Sequence, residues 1–231
     1  MNISVCTFCK GRLHHAVQNI PHTLSLLGEN DELILVDYDC PDKVGEWCEQ
    51  NHKNVKVVFV KNRVYWNASH AHNCAGVNAK NDIILFLDID VVLNEKLIEE
   101  VRNMKEGNFL QHNIVINMKD GNGNVSVTKD LTTYGTCAVY NKDFKEVNGY
   151  EEAFVGWGYE DDSFYKSLSA LGMTKNYFIN YGHSIKHDDT ERNRHLGEGN
   201  WRWHRSNKRI CKILRTRHKY KNNINRNWGV I

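Results

Sequence analysis

An α/β fold, with a mixed sheet flanked by helices and a basic helical C-terminal extension, follows from three features of this 231-residue chain. Short β-branched apolar runs alternate with helix-like segments through the first half, the pattern of a parallel sheet with crossover helices. Polar and acidic residues collect just after those runs, where the sites of open α/β sheets lie. Charge then divides along the chain. From Gly182 onward there are 13 Lys+Arg against 4 Asp+Glu, a net +9, while the remainder holds 17 against 24, a net −7.

Ile3–Phe8 reads as a first strand, followed by a loop at Cys9–Arg12 and a helix through about Leu27. Glu32–Val36 is a second strand ending at Asp37, and Pro41 suits the first turn of a helix containing Trp47. Val55–Val60 is a third strand and Asn67–Ala79 a helix. Ile83–Leu87 is nearly unbroken in its hydrophobicity, as a central buried strand should be. Asn94 can cap a helix over Glu95–Met104. Leu110–Met118 and Val125–Val127 flank Asp120-Gly121-Asn122-Gly123-Asn124, a hairpin-turn signal. Cys137–Tyr140 is a short strand, Tyr159–Leu171 a helix with Gly172 at its C-cap, and Tyr177–Ile185 a last strand. Trp201–Lys221 is a basic helix. The chain divides at about residue 190, into an α/β domain over 1–190 and a basic extension over 191–231.

Hydrophobic residues at 41% and charged residues at 25% are ordinary for a soluble protein. No basic leader precedes the first strand, and no apolar run approaches the ~20 residues of a membrane-spanning helix. Seven scattered cysteines read as reduced thiols, so the expected location is cytoplasmic, with peripheral contact with a membrane open. Cys6 and Cys9 form a C-x-x-C, but no second pair stands at zinc-ribbon spacing.

Asp88-Ile89-Asp90 ends the fourth strand. Two carboxylates on alternate residues there can bind a hard divalent cation and touch a ligand, although single acidic residues at strand ends are often only turn formers. A phosphatase with an Asp-x-Asp nucleophile would place that motif on its first strand and follow it with a threonine. Here three strands precede it, and Val91-Val92 follows. The second cluster is Gly156-Trp157-Gly158-Tyr159-Glu160-Asp161-Asp162. Three acidic residues opening a helix suit the macrodipole, but the flanking glycines and tryptophan ask for more. Glycines allow a close approach to a ligand, an aromatic face suits a sugar ring, and crowded carboxylates raise one pKa towards that of a general base.

Asn148-Gly149-Tyr150 and Gly156–Asp162 together closely resemble the acceptor-side motif of β-1,4-galactosyltransferases and bacterial chondroitin-polymerase-type enzymes. Both groups lie among the inverting GT-A (Rossmann-like) glycosyltransferases that include family 2. Thr7–Leu13 resembles that family's first nucleotide loop, Asn67–Asn73 the start of its donor-binding helix, and Asp88-Ile89-Asp90 its metal motif. The resemblance covers roughly 3–190, in order.

The resemblance implies donor binding by Thr7, Phe8, Arg12, Asp37, Asn67, His70, Asn73 and Asp88, with Asp37 reading the uracil of a UDP-sugar. It implies Mn2+ or Mg2+ held by Asp88, Asp90 and His187, with His183 as substitute. A methionine that ligates metal in vertebrate relatives is Ser184 here, so the shell must differ. Asp161 becomes the catalytic base, and Trp157, Gly158, Glu160 and Asp162 hold the acceptor. Retaining relatives usually carry Asn at the place of Asp161, so the carboxylate implies inversion.

The expected acceptor is a bacterial-type surface glycan. The alternative is hydroxymethylcytosine in DNA of the phage type, because Trp201–Arg205 and Arg215–Lys221 interleave aromatics with cations. The same extension could lie on an anionic membrane, or dock on the protein through Ile210, Ile213 and Leu214. A phosphatase or nucleotidyltransferase built on Asp88 and Asp90, and a non-catalytic nucleic-acid binder, are the competing classes. Neither uses the Gly156–Asp162 cluster.

Overall fold

A computed structural model of the chain describes residues 1–112, 115–119, 125–129, 134–156, 158–180, 182–185, 200–217 and 220–231. In chain order the first half comprises β1 (Ile3–Cys9), α1 (Leu13–Leu26), β2 (Glu32–Tyr38), α2 (Val44–Asn51), β3 (Val55–Val60), α3 (Ala68–Val77), β4 (Ile83–Phe86), β5 (Val91–Val92) and α4 (Glu95–Arg102). The second half comprises β6 (Asn108–Gln111), β7 (Val115–Lys119), β8 (Val125–Lys129), β9 (Cys137–Tyr140), α5 (Asn141–Glu146), α6 (Glu160–Ala170), β10 (Thr174–Tyr177), β11 (His183–Ser184) and α7 (Asn200–Arg217).

Seven strands form the central sheet in the order β10-β6-β9-β4-β1-β2-β3. β1 pairs in parallel with β2 and β4, and β2 with β3. β9 runs antiparallel to both β4 and β6, making the sheet mixed. Both faces are covered, which is why β1, β2 and β4 read as unbroken apolar runs. Along β1, Val5 and Cys9 face one core, with Ile20 of α1, Val44 and Cys48 of α2, and Leu97 and Val101 of α4. Cys6 and Phe8 face the other, with Ala71 and Cys74 of α3, Phe144 of α5, and Phe164 and Leu168 of α6. Tyr150 stacks on Phe164 at 4.0 Å and meets Phe86 edge-on at 5.4 Å. Side chains of this size contribute about 1.5–3 kcal/mol each when fully buried.

Four local expectations change. The stretch Leu110–Met118 is two strands, because β6 belongs to the central sheet and β7, among the described residues, pairs with β8 alone. The turn at 120–124 lies outside the described residues. Of the described residues in Tyr177–Ile185, only Tyr177 belongs to β10, on the sheet edge, and only His183-Ser184 form the short β11 against β5. Pro41 stands before α2 rather than in its first turn, since Lys43, at φ +54°, precedes the helix. On α7, Ile213 is exposed, while Asn207 and Cys211 are buried and Ile210 and Leu214 partly so. The inward stripe therefore runs through Asn207.

The last described residues lie against the body of the protein. The Nδ2 atoms of Asn222 and Asn223 donate to the carbonyls of Gly149 (2.6 Å) and Tyr150 (2.7 Å). The Gly229 amide donates to Glu152 Oε1 at 2.8 Å. Among the described residues no helix is long and apolar enough to cross a membrane.

Candidate active site at the carboxyl ends of β1, β2 and β4

The parallel strands deliver their C-terminal residues to one edge. Asp88 and Asp90 follow β4 in a turn closed by the Val91 amide on the Asp88 carbonyl at 3.0 Å. That turn is braced from α1, where the buried Asn19 amide donates to the carbonyls of Ile89 (3.0 Å) and Val91 (2.8 Å). Asp90 is buried and pairs with Arg12 at 3.2 Å. Its carbonyl accepts from the Ile185 amide at 2.7 Å, so the pairing of β11 with β5 brings the chain just before residue 186 to the Asp-x-Asp turn. His183 is on β11 and exposed. His187 lies outside the described residues.

The acidic first turn of α6 arrives from the other side. A Cβ added to Gly135 would lie 2.8 Å from Asp88 Oδ2 and 3.6 Å from Asp161 Oδ2, so the two carboxylates face one small space. Glu160 is buried, and burial together with the neighbouring Asp88 and Asp162 charges pushes its carboxyl up to about 7. Asp161 is raised well above the ordinary carboxylate range, first by burial and then by Glu160 and Asp162. Glu160 Oε2 and Asp161 Oδ1 are shut off from solvent without a hydrogen-bond partner. Asp162 accepts from the Tyr134 hydroxyl at 2.8 Å, and the Tyr134 carbonyl accepts from Tyr165 at 2.8 Å.

The donor-side residues divide into two groups. Asn67 caps α3, accepting from the His70 amide at 3.0 Å, and both residues line a cavity of about 430 Å3 with Tyr38, Arg63, Tyr65, Glu152 and Val230. His70 Nδ1 meets the Tyr38 hydroxyl at 3.1 Å and Nε2 meets the Val230 carbonyl at 3.0 Å; burial lowers its pKa. Thr7 is buried, and its Oγ1 has no hydrogen-bond partner.

The others are engaged within the scaffold. Asp37 accepts from the Cys40 and Gly45 amides, each at 2.8 Å, and burial raises its pKa. Phe8 packs on the His72 ring at 4.2 Å. Asn73, fully buried, donates to the Tyr150 carbonyl (2.8 Å) and Glu152 (2.8 Å) and accepts from the Tyr150 amide (2.7 Å).

The loop that carries the glycines is held on both sides. The Gly156 amide donates to the Trp66 carbonyl at 3.1 Å, and α7 packs on Gly156 and Gly158 through Trp203 and His204. Trp157 lies outside the described residues. Sequence reasoning missed Gly135, Tyr134 and Asn207, whose roles depend on what the fold places beside them. No spacing or periodic signal marks any of the three.

Crowded carboxylates with orphaned oxygens and one pairing arginine suit a divalent cation, which prefers hard oxygen ligands. Among the described residues no group of three or more His, Cys, Asp or Glu is arranged to hold a metal ion, so any such shell draws on residues beyond them or on the substrate.

Known proteins share this fold. The catalytic domain of Drosophila β1,4-galactosyltransferase 7, solved with xylobiose, superposes with TM-score 0.62 at 18% identity, covering 91% of this chain and 79% of that one. Staphylococcus aureus TarS 1–349 with UDP-GlcNAc gives TM-score 0.62 at 16% identity, over 86% and 61%. The mannosyltransferase PcManGT of Pyrobaculum calidifontis, solved with GDP-Man and Mn2+, gives 0.61 at 12%, over 84% and 61%. At these identities the likeness is one of fold. No curated protein matches in sequence. The family described as the N-terminal domain of galactosyltransferase matches residues 124–219, and glycosyl transferase family 2 matches residues 4–165, more than two thirds of the chain. The chain therefore belongs to glycosyl transferase family 2 and is a glycosyltransferase of GT-A fold.

Proposed function

We propose that the protein moves one sugar from a UDP-sugar to a hydroxyl of a glycan acceptor, with inversion at the anomeric carbon. The observation that carries this reading is the convergence of Asp88, from the end of β4, and Asp161, from the first turn of α6, on Gly135. One carboxylate belongs to the donor side and the other to the acceptor side. Arg12, Asp37, Asn67, His70 and Asp88 serve the nucleotide-sugar, with Thr7 and its unpartnered hydroxyl beside them and Phe8 and Asn73 shaping the wall. The cavity bordered by Asn67 and His70 supports that assignment.

Asp88, Asp90 and His187 are the ligands proposed for Mn2+ or Mg2+, which when bound offsets charge on the diphosphate. Asp161 takes the proton of the acceptor hydroxyl as that oxygen bonds to the anomeric carbon and the bond from this carbon to the diphosphate breaks, releasing UDP. Its raised pKa means it binds a proton readily in this burial. Glu160 and Asp162, with Trp157 and Gly158, orient the acceptor. TarS with UDP-GlcNAc and the galactosyltransferase with xylobiose are consistent precedents for donor and acceptor class.

The test is UDP release from a panel of UDP-sugars with Mn2+ and then with EDTA, followed by transfer to p-nitrophenyl glycosides, xylobiose and hydroxymethylated DNA. One donor should be turned over, EDTA and Asp90→Ala should abolish it, and Asp161→Asn should lower transfer by about 10²–10⁴. Transfer by Asp161→Asn within a few-fold of wild type would refute the base. Exclusive transfer to the DNA would replace the glycan acceptor.

A further inference from the structure

We infer that Asn207, on the basic C-terminal helix, is a positioning residue that sets the Gly156–Gly158 loop and through it the acceptor carboxylates of α6; this rests on the function proposed above. Asn207 is 1% exposed, in a helix whose neighbouring positions 204–206, 208 and 209 are all exposed. Its Nδ2 donates to the carbonyls of both Val155 and Gly158 at 3.0 Å, and its Oδ1 accepts from the Val155 amide at 3.4 Å. One side chain thus spans the loop from its entry to the residue just before Tyr159.

The surfaces around that bond are fitted to each other. Gly156 and Gly158 have φ of +75° and +101°, a region where a side chain is strained, and a Cβ on either would sit 3.0 Å from Trp203 or 3.1 Å from His204. Tyr159, at φ +75°, contacts the His204 ring at 5.0 Å. On the opposite flank the loop is tied to the donor side by the Gly156 amide on Trp66 and its bridge to Asn67. Glu160 and Asp161 follow immediately. Val155 and Gly158, beside glycines that permit many conformations, are both held by one buried amide, and the reach of Asp161 depends on where it holds them.

A buried Asn could serve stability alone, so the test must separate the two roles. UDP release without acceptor uses the donor side only. Transfer to the p-nitrophenyl glycoside that the wild type uses best needs the loop. Asn207→Ala should lower transfer kcat/KM by roughly 10–100-fold, since misplacements near 1 Å carry that size of effect. Acceptor-free UDP release should stay within twofold. Asn207→Asp keeps the shape but loses both donors, and should fall at least as far. Asn207→Ser keeps one donor and should fall less, and it carries the test if the alanine variant does not fold. Lys212→Ala, on the exposed face of the same helix, is the control. Equal loss of release and transfer, or no loss of either, would overturn the inference. A wild type that releases no UDP and transfers nothing would instead overturn the proposed function.

Discussion

Gly135 has no side chain, and a side chain there would meet the Asp88 carboxylate. Gly135→Ala adds a single methyl in a conformation that needs no positive φ, so the backbone tolerates it. The new Cβ would lie 2.8 Å from Asp88 Oδ2. Comfortable carbon contacts begin near ~3.5 Å, so the Asp88 carboxylate, the strand end or both must move by roughly 0.7 Å. Asp161 Oδ2, at 3.6 Å from the same point, is already in ordinary contact and blocks retreat in its direction. Overpacking by one methyl costs about 1 kcal/mol at a half-buried site, a fall of roughly 2–4 °C in Tm for a chain of this length.

The effect on catalysis should be larger, because displacement of a reacting group by nearly 1 Å can cost about 10²-fold. The assay is kcat at saturating donor and acceptor, run well below the lowest Tm, with folded fraction followed by far-UV circular dichroism. A kcat within threefold of wild type, with Tm unchanged, would mean that Asp88 and Asp161 do not share this space.

Two further outcomes follow from individual contacts. Tyr134→Phe removes the hydroxyl that Asp162 accepts at 2.8 Å, and a hydrogen bond to a charged group is worth about 1.5–3 kcal/mol, so acceptor KM should rise by roughly tenfold or more with donor KM unchanged. Unchanged kinetics for both substrates would remove Tyr134 from the acceptor side. His72 is enclosed by Phe8, Phe86 and Tyr150, and burial outweighs its bond to the Ala68 carbonyl to bring its pKa down to about 4. The native state therefore binds fewer protons than the unfolded chain between the ordinary histidine value of 6.5 and about 4, and the stability His72 contributes is present above 6.5 and lost as pH falls through about 4. Thermal melts of wild type and His72→Gln should converge across that interval; parallel curves would show that His72 does not carry it.

The first half of the fold was legible because a parallel sheet imposes a one-dimensional signature. Strands covered on both faces must be apolar throughout, and Val55–Val60 emerged with its boundaries unchanged. Asn94 and Asn67 marked helix starts through chemistry local to the chain, and both side chains accept an amide as a cap. The second half lacks that redundancy. Within Leu110–Met118 the partner changes from β9 to β8 across the polar Gln111-His112-Asn113, and a strand's pairing partner leaves no mark on so short a run. α5, six residues of Asn-Lys-Asp-Phe-Lys-Glu, is too short to show a helical period. It exists because Phe144 is anchored in the core.

The site divides along the same line, and α7 shows why. Read by hydrophobicity, its inward stripe would pass through Ile210, Ile213 and Leu214, the apolar residues of an otherwise basic helix. In the structure Ile213 is outside and Asn207 inside, four residues before the buried Cys211. Asn207, Cys211 and Leu214 lie on one helical face, so the inward stripe keeps the helical period but is displaced from Ile213. The error was in supposing that an inward face must be apolar. A buried amide is tolerated when its donors and acceptor are used, and here they are used by the backbone of another segment. A loop of glycines presents carbonyls and amides where side chains would otherwise be, so the surface that docks on it must itself be polar. Such a requirement belongs to the pair of segments and is written in neither alone. The exposed Lys208, Arg209 and Lys212 occupy the opposite face of the same rigid helix. The basic residues of α7 thus form the outer side of a helix whose inner side, through Asn207, meets the segment just before Glu160 and Asp161.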